Sequence, residues 1–334
     1  MFILQHGFVA MPMIAVLMDS ESFVEFVSDD STPIWDSAEV AKTCGFNLGY
    51  FKIVLRALDT LEIVIRQDSG GRYRFTERAG ALLGLPSFAT IAKILSFPWY
   101  EVLSYKHEEN GPSTDLMEQA AMMVEAVKTR WAPTTPALAK LLDGLVLAPM
   151  LIAVHKHTAD WDYSSKIPTV ARGTTSLPLW SLVTDLFGWL RWGYTAHDGT
   201  DEDLMTMTQQ GRFLLERCLN MGVAISYSPL LQGASEIIYG SPLNVLTYDD
   251  EGHEEHVDRS LNVIGSGAMH GTFFKALCGK IGSMFDNTDY ASQPRYIVDM
   301  GCGDGALLKS VYMHILNETV RGKVLDKEPL TMVG

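Results

Sequence analysis

Apolar and polar positions follow several rhythms along the chain, and each rhythm predicts a different element. The N-terminal stretch MFILQHGFVAMPMIAVLM is apolar almost throughout and is interrupted by Pro12. SAEVAKTC reads as a short helix capped by Ser37 and ended by Gly45. From Leu48, the residues Phe51, Leu55, Leu58 and Leu61 recur every three or four positions, the spacing of one buried helical face. The pattern then changes to strands. IVIRQDSGGRYRFT reads as two strands joined at Gly70-Gly71. Helix, turn, helix and β-hairpin in that order predict a winged helix.

The same plan recurs further along. GFVAMPMIAV begins at Gly7 and GLVLAPMLIAV at Gly144, and the same interval that separates these glycines separates Pro12 from Pro149. LPLWSLVTDLFGWLRWGY predicts an apolar-faced helix running into a strand, and AHDGTDEDLMTMTQQG a turn at Asp198-Gly199 with a second strand. Each hairpin is followed by a threonine and a new helix, TERAGALL in one copy and TQQGRFLL in the other. The chain therefore predicts two tandem winged-helix-like units, about 1–110 and 140–240, joined by a mostly helical connector.

A third region follows the acidic loop YDDEGHEEHVD, residues 248–258. RSLNVIGSGAMHGTFFKALCGKIGSMF reads as a glycine-broken start to a helix. YIVDMGCGDGALLKSVYMHIL then reads as a buried strand (Tyr296, Ile297, Val298), a glycine-rich turn and a helix burying Leu308, Val311, Tyr312 and Ile315. LTMVG predicts the start of another strand. Glycines in such a turn permit tight dihedrals and let backbone approach a ligand, while the helix start directs N–H groups at negative charge. Asp299, at the strand end, suits a cationic ligand better than a pyrophosphate.

VDMGCGDG resembles motif I of class I S-adenosylmethionine-dependent methyltransferases. The resemblance implies that Asp299, Gly301, Gly303 and Gly305 hold the methionine part of S-adenosylmethionine. DRSLNVIGSGAMHGTFF followed by YIVDMGCGDGALLKSVY is most similar to the methyltransferase domains of polyketide synthase loading modules. These place a helical lid before the core and methylate carrier-bound acyl groups. The implied organisation is a helical and winged-helix lid over 1–257, then the N-terminal part of a Rossmann-like methyltransferase core over 258–334. The fold class is mostly α with small β-hairpins, followed by the start of an α/β core.

His270, just before the cofactor strand, is expected near cofactor or substrate. Since such a core needs about seven strands, the chain is expected to be a front portion, inactive alone, with the ribose-binding acid beyond Gly334. Asp326 and Glu328 have the right count but precede the strand. Some family members use a mononuclear metal, whose ligands would also lie beyond this chain. No catalytic residue can be assigned within it. The implied partner is an acyl carrier protein. A small-molecule acceptor methylated on oxygen, and a non-enzymatic winged-helix module with a vestigial core, are the alternatives.

Composition narrows the choice further. A net charge of −14 and pI near 5.0 disfavour nucleic acid and anionic membranes as partners. The arginines of the first wing (Arg66, Arg72, Arg74, Arg78) are offset by the acidic second wing (Asp198, Asp201, Glu202, Asp203). Four scattered cysteines suit a reducing cytoplasm. HKHTADWD, with His155, His157, Asp160 and Asp162, and HEEH, with His253 and His256, lack a complete ligand set, so no metal site is assigned. Trp180, Trp189 and Trp192 read as core. No segment reads as a signal peptide or a membrane span.

Overall fold

In the computed structural model, residues 1–29, 34–100, 113–132, 134–157, 167–168, 194–195 and 204–334 are described. The chain divides into two compact units, Met1–Arg259 and Ser260–Gly334. The described part is mostly helical, with small sheets.

Helix α1 (Phe2–Met18) continues through Pro12, so the proline does not interrupt it. Helix α2 (Glu21–Ser28) starts on the Ser20 hydroxyl, which accepts from the Phe23 N–H. After β1 (Trp35–Asp36) comes α3 (Ser37–Cys44). Its cap is Asp36 rather than Ser37: the carboxylate accepts from the N–H groups of Ala38 and Glu39, and Ser37 is already helical. Gly45 ends α3 at φ 73°, in the left-handed region that glycine adopts without strain. Helix α4 (Leu48–Thr60) buries Phe51, Leu55 and Leu58 as expected, with Val54 beside them, while Leu48 at its start is exposed and Leu61 at its C-cap is only half-buried.

Strands β2 (Val64–Arg66) and β3 (Arg72–Phe75) form the expected antiparallel hairpin, with Gly71 at φ 102°. Asp68 organises this turn. It accepts from the N–H groups of Gly71 and Arg72 and pairs with the Arg72 side chain, and these bonds hold its carboxyl below the usual range. Strand β1 adds to β3, giving the order β1-β3-β2. Beneath it lies an aromatic core in which Phe23 meets Phe46, Phe51 and Phe75, and Trp35 stacks on Tyr73. The segment after the hairpin is a 3-10 turn over Ala79–Gly84, not the α-helix expected there.

Helices α5 (Phe88–Leu95) and α6 (Thr114–Lys128) lead to α7 (Pro136–His157). By length and composition α7 could cross a membrane, but 78% of its apolar window is buried inside the fold, as in a core helix. It packs on α1 through two glycines. A Cβ on Gly7 would strike the Leu141 carbonyl, and one on Gly144 would strike the Leu4 carbonyl. Each leucine stands three residues before the opposite glycine. This is the reciprocity of a two-fold contact, here within one chain.

A second sheet comprises β4 (Ile167–Pro168), β5 (Tyr194–Thr195) and β6 (Leu204–Met207), in the order β4-β6-β5. Its strands take the order of the first sheet, and β4 meets β6 in the register in which β1 meets β3, whereas the β5–β6 hairpin is offset by two residues from the β2–β3 one. Trp35 pairs with Tyr73 and Ile167 with Met205, so one shift along the chain carries both members of the first pair onto the second. The expected Asp198-Gly199 turn, the helix carrying Trp180, Trp189 and Trp192, and the acidic wing residues lie outside the described residues. Helix α8 (Gln209–Arg217) follows, capped by the Thr208 hydroxyl. Short helices α9 (Gly222–Ser226), α10 (Ser228–Gln232) and α11 (Ala234–Tyr239) complete this unit's described helices.

The 248–258 stretch is a loop, as its charge implies. Asp249 accepts from the N–H groups of Glu251 and His253, while His256 is buried with Nδ1 3.2 Å from the Thr247 carbonyl.

In the Ser260–Gly334 unit, α12 (Arg259–Gly282) is continuous through Gly265, Gly267, Gly271 and Gly279, so the glycines do not break it. Strand β7 (Tyr296–Val298), α13 (Ala306–Glu318) and β8 (Thr331–Val333) form a β-α-β unit with β7 and β8 parallel. Its core is Cys278, Phe285, Val311 and Ile315, with Ile297, Leu307 and Met332 packed on it. The strand expected to be wholly buried is buried on one face only. Side chains alternate across a strand, so Ile297 faces the helices while Tyr296 and Val298 stay 66% and 49% exposed. Likewise α13 turns Leu307, not Tyr312, toward the core.

Candidate functional site

The glycine turn sits where β7 ends and α13 begins. Asp299 leaves the strand with its N–H donating to the Val333 carbonyl at 2.9 Å, which extends the parallel ladder by one bond. Gly301, Gly303 and Gly305 then take φ values of 83°, 59° and 74°. All three lie in the left-handed region, so side chains there would be strained regardless of space. Space is also available. A Cβ on Gly301 or Gly305 would meet nothing within 4 Å, and one on Gly303 would touch only Val263, at 3.7 Å.

The chain turns on itself through the Gly305 N–H, which donates to the Cys302 carbonyl. Asp304 accepts from the Ala306 N–H at 3.0 Å, so its carboxylate secures the helix start. Asp299 is left half-buried at the strand end. This open backbone cradle, with a helix's positive end behind it and a carboxylate beside it, fits a ligand bearing both a carboxylate and an ammonium group.

Val263 places the start of α12 against the turn. His270 is two helical turns further on, where a helix returns to nearly the same face. The side chain is exposed, its Nδ1 3.3 Å from the Ser266 hydroxyl and its ring tilted over Phe274. Among the described residues no hydrogen bond ties it to the glycine turn. The four motif residues therefore come together in one turn, and His270 lies along the neighbouring helix.

A residue that carries no sequence signal holds the two strands in place. Arg321 is 1% exposed. It donates to the carbonyls of Glu328 and Pro329 and to the Gln293 side chain, at 2.8, 3.2 and 2.9 Å. Gln293 precedes β7, and residues 328–329 precede β8, so one guanidinium clamps both approaches. Asp326 and Glu328 stand before β8, at the end of the strand away from the glycine turn.

Among the described residues no three His, Cys, Asp or Glu side chains gather as metal ligands. His253 bonds Asp249 instead, and Asp160 and Asp162 lie outside the described residues.

Comparison with known families matches two segments. Residues 254–334 match the AprA MT2-like methyltransferase domain, and residues 143–241 match the AprA winged helix domain. No protein of curated function matches the chain. The chain is thus similar to a polyketide-synthase-type methyltransferase with a winged-helix lid, in two separate stretches.

Proposed function

We propose that the protein is the lid and first cofactor-binding unit of an S-adenosylmethionine-dependent methyltransferase acting on a carrier-protein-bound acyl group. The strongest support is the run of three left-handed glycines between a strand of a parallel pair and a helix, with Asp299 at the strand end. In this reading the turn's N–H groups and the start of α13 take the carboxylate of the methionine part, and Asp299 takes its ammonium. Bound there, the cofactor supplies an electrophilic methyl group on a sulfonium. The acceptor carbon must first lose a proton to become nucleophilic, a step needing a base or a metal that no residue of this chain is assigned to supply. Methylation of a polyketide chain at carbon, in the cytoplasm, completes the reading, which the free state of all four cysteines suits.

Cofactor binding by residues 1–334 alone is expected to be weak, with a Kd of about 100 µM or more. The assigned residues serve only the methionine end, and the carboxylates nearest β8 lie at its far end. Saturation-transfer NMR with S-adenosylhomocysteine detects binding of that strength. The expected result is a clear signal for the wild type and none for Gly303→Val, whose side chain would enter the cradle at φ 59°. Equal signals from both would remove the turn from its assigned role.

A further inference from the structure

We propose that a cavity in the Met1–Arg259 unit, between the first hairpin and the start of α7, binds a neutral amphipathic molecule: an aliphatic body ended by a hydroxyl or amide group. The cavity has a volume of about 630 Å³ and is walled by Leu61, Ile63, Ala81, Leu138 and Leu141, with Glu77 and Arg78 at its polar end. That volume is in the range of small-molecule sites.

The molecule contains its own control. The shift that carries β1 and β3 onto β4 and β6 also carries 76–82, TERAGAL, onto 208–214, TQQGRFL. Leu82 and Leu214 are both buried at the end of these segments. On the helices, Leu138 follows Met1 at the same interval by which Gly144 follows Gly7. The corresponding corner of the second half is lined by Met1, Gln209, Gln210, Phe213 and Leu214 and holds about 320 Å³. Where the first corner has Gly80 and Ala81, the second has Arg212 and Phe213. A Cβ on Gly80 would meet nothing within 4 Å, so no close packing requires glycine there. The architecture accepts bulk at this corner in one half and leaves it hollow in the other. The open hollow leaves Leu61 and Ala81 half-buried on its wall, apolar surface that an aliphatic ligand would cover.

The polar end selects the class of ligand. Arg78 is already paired with Glu62, and Glu77 also lines the cavity, so two carboxylates accompany the one guanidinium. A carboxylate ligand would meet net negative charge. A hydroxyl or amide can accept from Arg78 and donate to Glu77, while the leucine, isoleucine and alanine walls take the aliphatic body. This proposal does not depend on the methyltransferase reading.

The test is isothermal titration calorimetry of the full chain with 1-octanol and, separately, octanoate. Octanol should bind, and octanoate should bind at least about 10-fold more weakly. Ala81→Phe, which imports the second half's residue, should weaken octanol at least about 10-fold while the thermal melt stays cooperative. Ala137→Trp, on the exposed opposite wall, should do the same and decides the matter if Ala81→Phe fails to fold. Absence of octanol binding, octanoate binding as tightly as octanol, or octanol affinity unchanged in Ala137→Trp would each overturn the proposal.

Discussion

The two halves of the Met1–Arg259 unit share a framework and differ in what fills it. Both sheets place their third strand between the first and second, and the first and third strands pair in the same register, although the hairpins differ by two residues. Both have a long helix carrying glycine and, five residues later, proline, and these helices touch through their glycines. The first half packs a cluster of phenylalanines around Trp35 and leaves a corner hollow beside Ala81. The second half narrows its corresponding corner with Phe213. The winged-helix family model matches only residues 143–241, within the second half. Backbone pairing and helix crossing therefore retain a likeness that side-chain identity has lost. Hydrogen-bonded register tolerates many side chains, whereas a family model reads the side chains themselves.

The helix crossing offers the largest effect by which to break this comparison. Gly7→Ala and Gly144→Ala each put a Cβ onto a backbone carbonyl of the facing helix, which cannot yield as a flexible side chain would. Each should cost about 3 kcal/mol in urea unfolding. The two costs should agree; a tolerated alanine at either position would mean that the crossing is not symmetric.

Asp143 provides an asymmetric contrast, since its counterpart in the first copy, just before Gly7 as Asp143 is just before Gly144, is the exposed His6. Burial pushes the Asp143 carboxyl up to about 6, against the pull of a 2.9 Å hydrogen bond from the Trp131 indole. A carboxyl with a raised folded-state pKa holds its proton longer in the folded state than in the unfolded. Its effect is therefore to lower stability as pH rises from about 4 to 6. Asp143→Asn should remove that loss. Relative to wild type, its stability should rise by about 1–3 kcal/mol between pH 4 and 7.5. A constant difference between the two proteins across that range would show that Asp143 is effectively solvated.

The helix caps give the smallest effect. Asp36 caps the helix after β1, and Thr208 caps the helix after β6. Replacing either with alanine should cost about 1 kcal/mol in thermal or urea unfolding. A cost near zero for one of them would show that the local N–H groups find other acceptors, and would sharpen where the two halves diverge.

Much of this was legible beforehand because it rests on short-range rules. The α4 face, the Gly70-Gly71 hairpin and the glycine turn follow from period, turn chemistry and positive φ. The misreadings have equally local causes. Asp36 took the cap from Ser37 because it stands one residue earlier, with its carboxylate over two N–H groups. Pro12 and the α12 glycines were tolerated because each helix is long enough to continue on both sides of them. Tyr296 and Val298 stayed exposed because alternation gives a strand two faces, and helices cover one. Of the candidate site, the four motif residues could be named from sequence. Arg321 could not, because its partners are backbone carbonyls and one glutamine side chain, brought to it by the chain's path and marked by no spacing.

By itself the sequence determined some elements of this protein and the chemistry of its turn: that α3, α4 and α13 are helical, where the first hairpin folds, and which glycines must reach left-handed angles. These depend on each residue's own sterics and on neighbours a few positions away. Tertiary structure alone decided that Gly7 and Gly144 meet reciprocally and that Val263 lies against the glycine turn. It also decided that Ala81 opens a cavity where Phe213 narrows the corresponding one. Each of these joins residues far apart in the chain, and only packing determines which surfaces come within van der Waals reach.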